Sequence, residues 1–221
     1  MKRCIQWTAV GLVVVTLTAL WATAAPEPKV IPTEWELDIR YEAPQPIRVK
    51  IPGDDRVETF WYVLYTVTNH TGGDRVFVPQ VTLFTDTGQI LLGSEGIYPS
   101  VFAAIKERHN NPYLEDLARI SGRILQGEDN ARDGVAIFRD FDQAARTIDV
   151  FIGGLSGETA VVDLPREIGL TETDIRGRTT EKRTGRIVLH KTLQLTYEIP
   201  GEAEARLLTP MRLVRKGWVM R

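Results

Sequence analysis

The sequence predicts a mainly β protein, an antiparallel two-sheet sandwich with one short helical insertion. Three observations carry this. Apolar and polar residues alternate with a period of two through many short segments, turn-forming residues separate those segments, and a helical period is confined to residues 99 to 119. Neither βαβ alternation nor an internal repeat is present, so the strands must bury their apolar sides against one another.

The N-terminus bears on location. Lys2 and Arg3 precede an uncharged run from Cys4 to Ala25 with an apolar centre, AVGLVVVTLTALWA. A basic start followed by such a run is the pattern of an export signal, and Ala22-Thr23-Ala24 places small residues where a signal peptidase reads. Cleavage after Ala24 is expected. A run of about 20 uncharged residues also suits a bilayer span, so an uncleaved anchor, giving membrane attachment through the N-terminus, is the alternative. Cys4 precedes the apolar run instead of following it, which argues against a lipoprotein. The expected location is extracytoplasmic: periplasmic, cell-envelope or secreted.

Cleavage leaves residues 25–221 as one domain of ordinary size without cysteine. With no disulfide available, a hydrophobic core must supply the stability. Thiol nucleophiles and thiolate metal sites are excluded. The 25 remaining Lys and Arg face 29 Asp and Glu, a formal charge of −4, and no basic excess points to nucleic acid.

After the proline-rich leader PEPKVIP, WELDIRY (35–41) alternates without fault, with Trp35, Leu37, Ile39 and Tyr41 on one side. Prolines in APQP break the chain before a short edge strand, IRVKI (47–51). A PGDD turn leads to FWYVLYTVTN (60–69), apolar on both faces: Trp61, Val63, Tyr65 and Val67 on one, Phe60, Tyr62 and Leu64 on the other. HTGGD (70–74) turns into VFVPQVTLFTD (76–86), in which Pro79 demands an edge or a bulge, and a TGQ turn opens ILL.

The period then changes. SVFAAIKERHN (100–110) spaces Val101, Phe102 and Ile105 as a helix behind a Ser100 cap, and Asn111-Pro112 opens YLEDLARI, a second short helix with Tyr113, Leu114 and Leu117 inward. This insertion, about 99–119, is placed over Phe60, Tyr62 and Leu64. Strands resume at SGRIL, GVAIF (134–138) and TIDVFIGGL (147–155). The tract 171–186, TETDIRGRTTEKRTGR, is poor in apolar residues and reads as a mobile loop. In RIVLHKTLQLTYEIP, Ile187, Leu189, Leu193, Leu195, Tyr197 and Ile199 share one face, and MRLVRKGWVMR closes the fold.

Candidate chemistry is sparse. His70, His109 and His190 sit in a turn, at a helix end and on a polar strand face, none in a nucleophile-elbow setting, and GLSGE (154–158) reads as a turn because no helix pattern follows it. No HxH, HExxH or CxxC spacing suggests zinc. GEDNARDGVAIF (127–138) gathers Glu128, Asp129, Asn130 and Asp133, but not at calcium-loop spacing. It reads as an inter-strand turn in which Gly127 and Gly134 permit positive φ, with calcium as the lesser alternative. Trp35, Trp61, Tyr62 and Trp218 suggest either core or a sugar-stacking platform, and the phase of Trp35 and Trp61 favours core. Asn69-His70-Thr71 matches an N-glycosylation sequon. No catalytic, cofactor-binding or metal-binding residue is nominated.

FWYVLYTVTNHTGGDRVFVPQVTLFTDTGQ, then ILQGEDNARDGVAIF and TIDVFIGGLSG, resemble the strand and turn order of small secreted bacterial Ig-like domains, over about residues 58 to 157. Gln126 stands where such domains usually carry proline. The resemblance implies an Ig-like sandwich acting as a non-enzymatic structural or interaction module, with a protein or glycan partner outside the cytoplasm. Its rivals are a carbohydrate- or calcium-dependent binding module and, behind it, an extracytoplasmic hydrolase.

Overall fold

The computed structural model describes residues 26–221 apart from 52, 54, 174–178 and 202–204, and gives the backbone alone for 165–184. The expected signal or anchor, residues 1–24, lies outside the described residues. Among the latter, no helix is long and apolar enough to cross a membrane.

In chain order the first strands are β1 (Asp38–Tyr41), β2 (Gln45–Lys50), β3 (Val57–Thr68), β4 (Arg75–Phe77), β5 (Gln80–Thr85) and β6 (Ile90–Leu92). Helix α1 (Pro99–Arg108), β7 (Glu115–Asp116), the single turn α2 (Leu117–Ile120), β8 (Gly122–Ile124), β9 (Arg132–Arg139) and β10 (Thr147–Gly153) follow. The chain ends with β11 (Thr159–Thr173), β12 (Thr179–Glu198), the turn α3 (Ala205–Leu208) and β13 (Arg212–Met220).

Most of these residues fall into two larger sheets. In the first, β1 and β2 lie end to end along one edge of β3, whose other edge pairs with β9. In the second, β5 and β12 flank β10, β6 extends β5, and β13 pairs with the far side of β12. Inward residues of both sheets share one core: Trp61, Val63 and Tyr65 of β3 with Phe138 of β9 meet Leu83 of β5, Val150 of β10 and Leu195 of β12. The alternation of FWYVLYTVTN is realised on both sides. Phe60 and Tyr62 face outward into a second core with Val101 and Ile105 of α1 and Leu114, where the insertion was placed.

Local expectations are corrected at several points. The fold is not wholly antiparallel, because β7 pairs parallel with β9 and makes the first sheet mixed. That pairing uses Glu115 and Asp116, so the second helix shrinks to four residues capped by Asp116, which accepts from Arg119 N–H at 2.8 Å, and Tyr113 turns out to solvent. Helix α1 begins with Pro99 in its first turn, and Ser100 lies inside the helix and does not cap it. WELDIRY divides between the sheets. Leu37 N–H bonds Leu155 O at 2.8 Å and Glu36 bridges Ser156, while Asp38–Tyr41 pair with β3. VFVPQVTLFTD likewise divides at Pro79, which has no N–H to donate: β4 before it pairs with β8, and β5 after it pairs with β10.

The tract 171–186, read as a mobile loop, instead contributes Thr171–Thr173 and Thr179–Arg186 to paired strands; residues 174–178 are outside the description. Backbone pairing needs no apolar side chains, and the five threonines of this tract have the branched Cβ that suits extended backbone. Up to His190, β12 pairs with β11; from Lys191 it pairs with β13 and from Leu193 with β10. The β11–β12 section, 12 residues of β12, is therefore a two-stranded ribbon of about 40 Å.

The turn glycines play different parts from those expected. Gly127 does adopt positive φ (94°), but Gly134 does not. Its role is close approach: a Cβ there would lie 2.5 Å from Tyr65 Cζ and 2.7 Å from Ile120 Cδ1. Gly134→Ala is expected to cost about 1–3 kcal/mol in denaturant unfolding, because both contacts are core atoms. An unchanged midpoint would refute this packing account.

Candidate functional site

The residues singled out by the sequence separate in space. His70 Nδ1 lies 2.6 Å from Asp38 Oδ2 on open surface. His109 caps α1 and shares a 2.8 Å hydrogen bond with the Tyr62 hydroxyl, which also donates to Gln45 Oε1 at 3.0 Å. Burial raises the Tyr62 pKa, so this phenol stays protonated and serves to seat the helix. Trp61 and Tyr62 are fully buried on opposite faces of β3 and cannot form a sugar platform. Trp35 and Trp218, both half-buried, line two different clefts.

The acidic stretch is tied up in local structure. Glu128, Asp129 and Asn130 make a single 3-10 turn, and Asn130 Nδ2 donates to Gln126 O at 2.6 Å. Asp133 accepts from Thr66 Oγ1 at 2.7 Å and Asn111 Nδ2 at 2.8 Å, joining β3, β9 and the insertion. Among the described residues no three His, Cys, Asp or Glu side chains are grouped to hold a metal ion. Asn69 is fully buried. Its amide donates to Gly73 O at 3.0 Å and Ile124 O at 2.9 Å, so the nitrogen a glycan would need is already spent inside the fold.

His190 has a different setting. It stands at the rim of a cleft of about 380 Å³ on the outer face of the second sheet, floored by Gln80, Thr82, Phe151 and Thr192 and walled by Trp35. The floor follows from register: Gln80 and Thr82 alternate with the core residues Val81 and Leu83, and Phe151 lies opposite Thr82. Arg221 closes the far side. Its backbone exchanges two hydrogen bonds with His190 (2.8 and 3.1 Å), and its guanidinium lies 4.2 Å from the centre of the Phe151 ring and 5.0 Å from that of Phe84. Burial there lowers the pKa of Arg221. At the Trp35 wall, Arg75 rests 5.5 Å from the ring centre without itself lining the cleft.

No protein-family model, curated protein or solved structure matches this chain. The chemistry of the cleft must be read from its own groups. Ser156 also lines it, which is the placement a hydrolase would require of a serine near His190. The hydroxyl, however, donates to Trp35 O at 3.2 Å and accepts from Glu158 N–H at 3.1 Å, locking the turn after β10. Besides the apolar surface of Val76, Val78, Phe151 and Trp35, the lining carries one guanidinium, one imidazole, the Gln80 amide and the Thr82 hydroxyl. Such a set can orient a bound molecule.

One buried group, at the second cleft with Trp218, went unnoticed in the sequence. Lys191, 2% exposed, lies 2.9 Å from Glu36 Oε2 and 3.2 Å from Glu158 Oε2, with its ammonium 5.1 Å from the Trp218 ring centre. The oxygens meet it as ion pairs and not as well-directed hydrogen bonds. Burial pulls the Lys191 pKa down, and the two carboxylates overcome that and raise it. The signal was available: in RIVLHKTLQLTYEIP the lysine falls in phase with Leu189, Leu193 and Leu195.

Proposed function

We propose that the chain is an extracytoplasmic, non-enzymatic binding module built on an Ig-like two-sheet sandwich, and that it meets its ligand or partner at the cleft beside His190. The cleft carries the reading: Gln80, Thr82, His190 and Arg221 line it beside apolar surface, while its one serine is committed to the backbone. The shared core of the two sheets and the division of residues 35–41 between them support the sandwich class, and the basic, apolar and small-residue order of residues 1–24 supports export.

Incubation with nitrophenyl esters and nitrophenyl glycosides tests the reading against the hydrolase alternative. The expected result is no turnover above that of Ser156→Ala and His190→Gln variants. Turnover lost in either variant would replace the binding module with an enzyme. Location is tested by N-terminal sequencing of fractionated cells: Ala25 first in a soluble fraction is expected, and an intact Met1 in membranes would make the N-terminus an anchor.

A further inference from the structure

We infer that the cleft takes a small organic anion, a carboxylate or phosphate ester of sugar size, and that Arg221 receives its charged group. The inference rests on the binding-module reading and adds the charge of the ligand. Among the described residues, no carboxylate and no hydrogen-bond acceptor is paired with the Arg221 guanidinium, whose partners are the rings of Phe84 and Phe151. A guanidinium held against rings leaves its N–H donors without an oxygen acceptor. The planar fork of a guanidinium matches two oxygens of a carboxylate or phosphate.

The surroundings point the same way. No Asp or Glu lines the cleft. The carboxylate of Asp149, on the same sheet face beyond Phe151, is held by Gln194 Nε2 at 3.0 Å and by Thr196 Oγ1, with Arg215 at 4.0 Å. His190 supplies an imidazole, and Arg75, fixed by Thr71 Oγ1 through its Nε at 2.8 Å, rests against the Trp35 wall. A neutral sugar would need an open aromatic face. Here Arg221 covers Phe151, and Trp35 lies between Arg75 and the backbone of Gly157. The space, about 380 Å³, fits a single small molecule and not a polymer groove. Because the arginine already rests against two rings, little side-chain freedom is lost when the anion arrives.

Calorimetric titration of the purified protein with D-glucuronate, glucose 6-phosphate and D-glucose tests the inference. At least one of the two anions is expected to bind while glucose does not, and the affinity should fall as salt rises from about 0.02 to 0.5 M because exposed charge pairs are screened. Arg221→Gln should weaken anion binding about tenfold to a hundredfold, the loss of a charge-assisted contact. Arg221→Lys should retain part of it. Amide NMR shifts confined to Thr82, Thr192 and their neighbours should place the anion, and an unchanged melting temperature should show that the variants are folded. Glucose binding as tightly as the anions would overturn the charge assignment while leaving a binding module. Unchanged affinity in folded Arg221→Gln, or no binding of either anion, would overturn the site itself. Turnover of nitrophenyl substrates bears on the binding-module reading alone.

Discussion

Lys191→Met is expected to destabilise the protein by about 3–5 kcal/mol, because it leaves two carboxylates facing each other without the buried cation between them. For a domain of this size that corresponds to a melting temperature lower by roughly 6–20 °C. Glu158 suffers most, being 8% exposed at its side chain, whereas Glu36 at 27% can turn toward water. A second substitution checks the cause. Lys191→Met combined with Glu158→Gln removes both buried charges and should recover part of the loss, a coupling that a double-mutant cycle measures directly. A loss below about 1 kcal/mol in the single variant would mean that the ion pair is not fully desolvated.

The same group of charges sets a pH window. The Lys29 N–H, donating to Glu158 Oε1 at 2.9 Å, and then the Lys191 ammonium hold the Glu158 carboxyl below its ordinary value, against the opposing effect of burial. Since its folded pKa is depressed, its contribution is complete above the unfolded value and lost as pH falls through the folded one. Lys191 is raised, so its contribution is complete below the unfolded lysine value and lost as pH rises through the folded one. Urea midpoints taken across the acid range should fall less steeply for Glu158→Gln than for the parent chain. Parallel curves would remove Glu158 from the acid transition.

Asn69→Asp should be of similar size, about 3–5 kcal/mol, for a different reason. The asparagine, itself fully buried, donates to two carbonyls and accepts from Thr71 N–H at 3.0 Å and Thr71 Oγ1 at 2.9 Å, all within one corner. Aspartate keeps the acceptor and turns both donor contacts into oxygen facing oxygen. The corner joins the end of β3 to the β4–β8 pair, and Gly127 N–H bonds Asn69 O at 2.9 Å, so the acidic turn is held from the same residue. Thr71→Val, which removes one hydroxyl near the surface, should cost only about 1 kcal/mol. Mass spectrometry of protein made in a glycosylating host should find Asn69 bare. A glycan there in folded material would contradict the buried amide.

Much of the architecture was legible because alternation reports which face of a strand is buried. FWYVLYTVTN shows both of its faces, and the outer one is covered by the insertion that follows later in the chain. Pairing partners are another matter. Nothing local in WELDIRY says that residues 35–37 join one sheet and 38–41 the other, since both halves keep the same alternation. The polar tract at 171–186 misled because composition reports core burial, and a ribbon held by backbone hydrogen bonds has little core to report. The cleft was invisible for a related reason. Its floor comes from the polar sides of β5, β10 and β12, and Trp35 and Arg221 are brought to it from near the two ends of the described chain. Lys191 was readable as a charge in phase with its aliphatic neighbours Leu189, Leu193 and Leu195.

The division of residues 35–41 between the sheets also has a kinetic side. Ser156 Oγ and the Trp35 carbonyl are 121 residues apart in sequence, and β3 cannot pair with β9 until the whole insertion has been gathered between them. Loop closure of that length must be paid before the contacts it permits begin to contribute. Folding should therefore run in milliseconds to seconds and not microseconds. The step that closes the N-terminal segment against the turn after β10 should come late, so substitutions at Trp35 or Ser156 are expected to speed unfolding while leaving the refolding rate nearly unchanged.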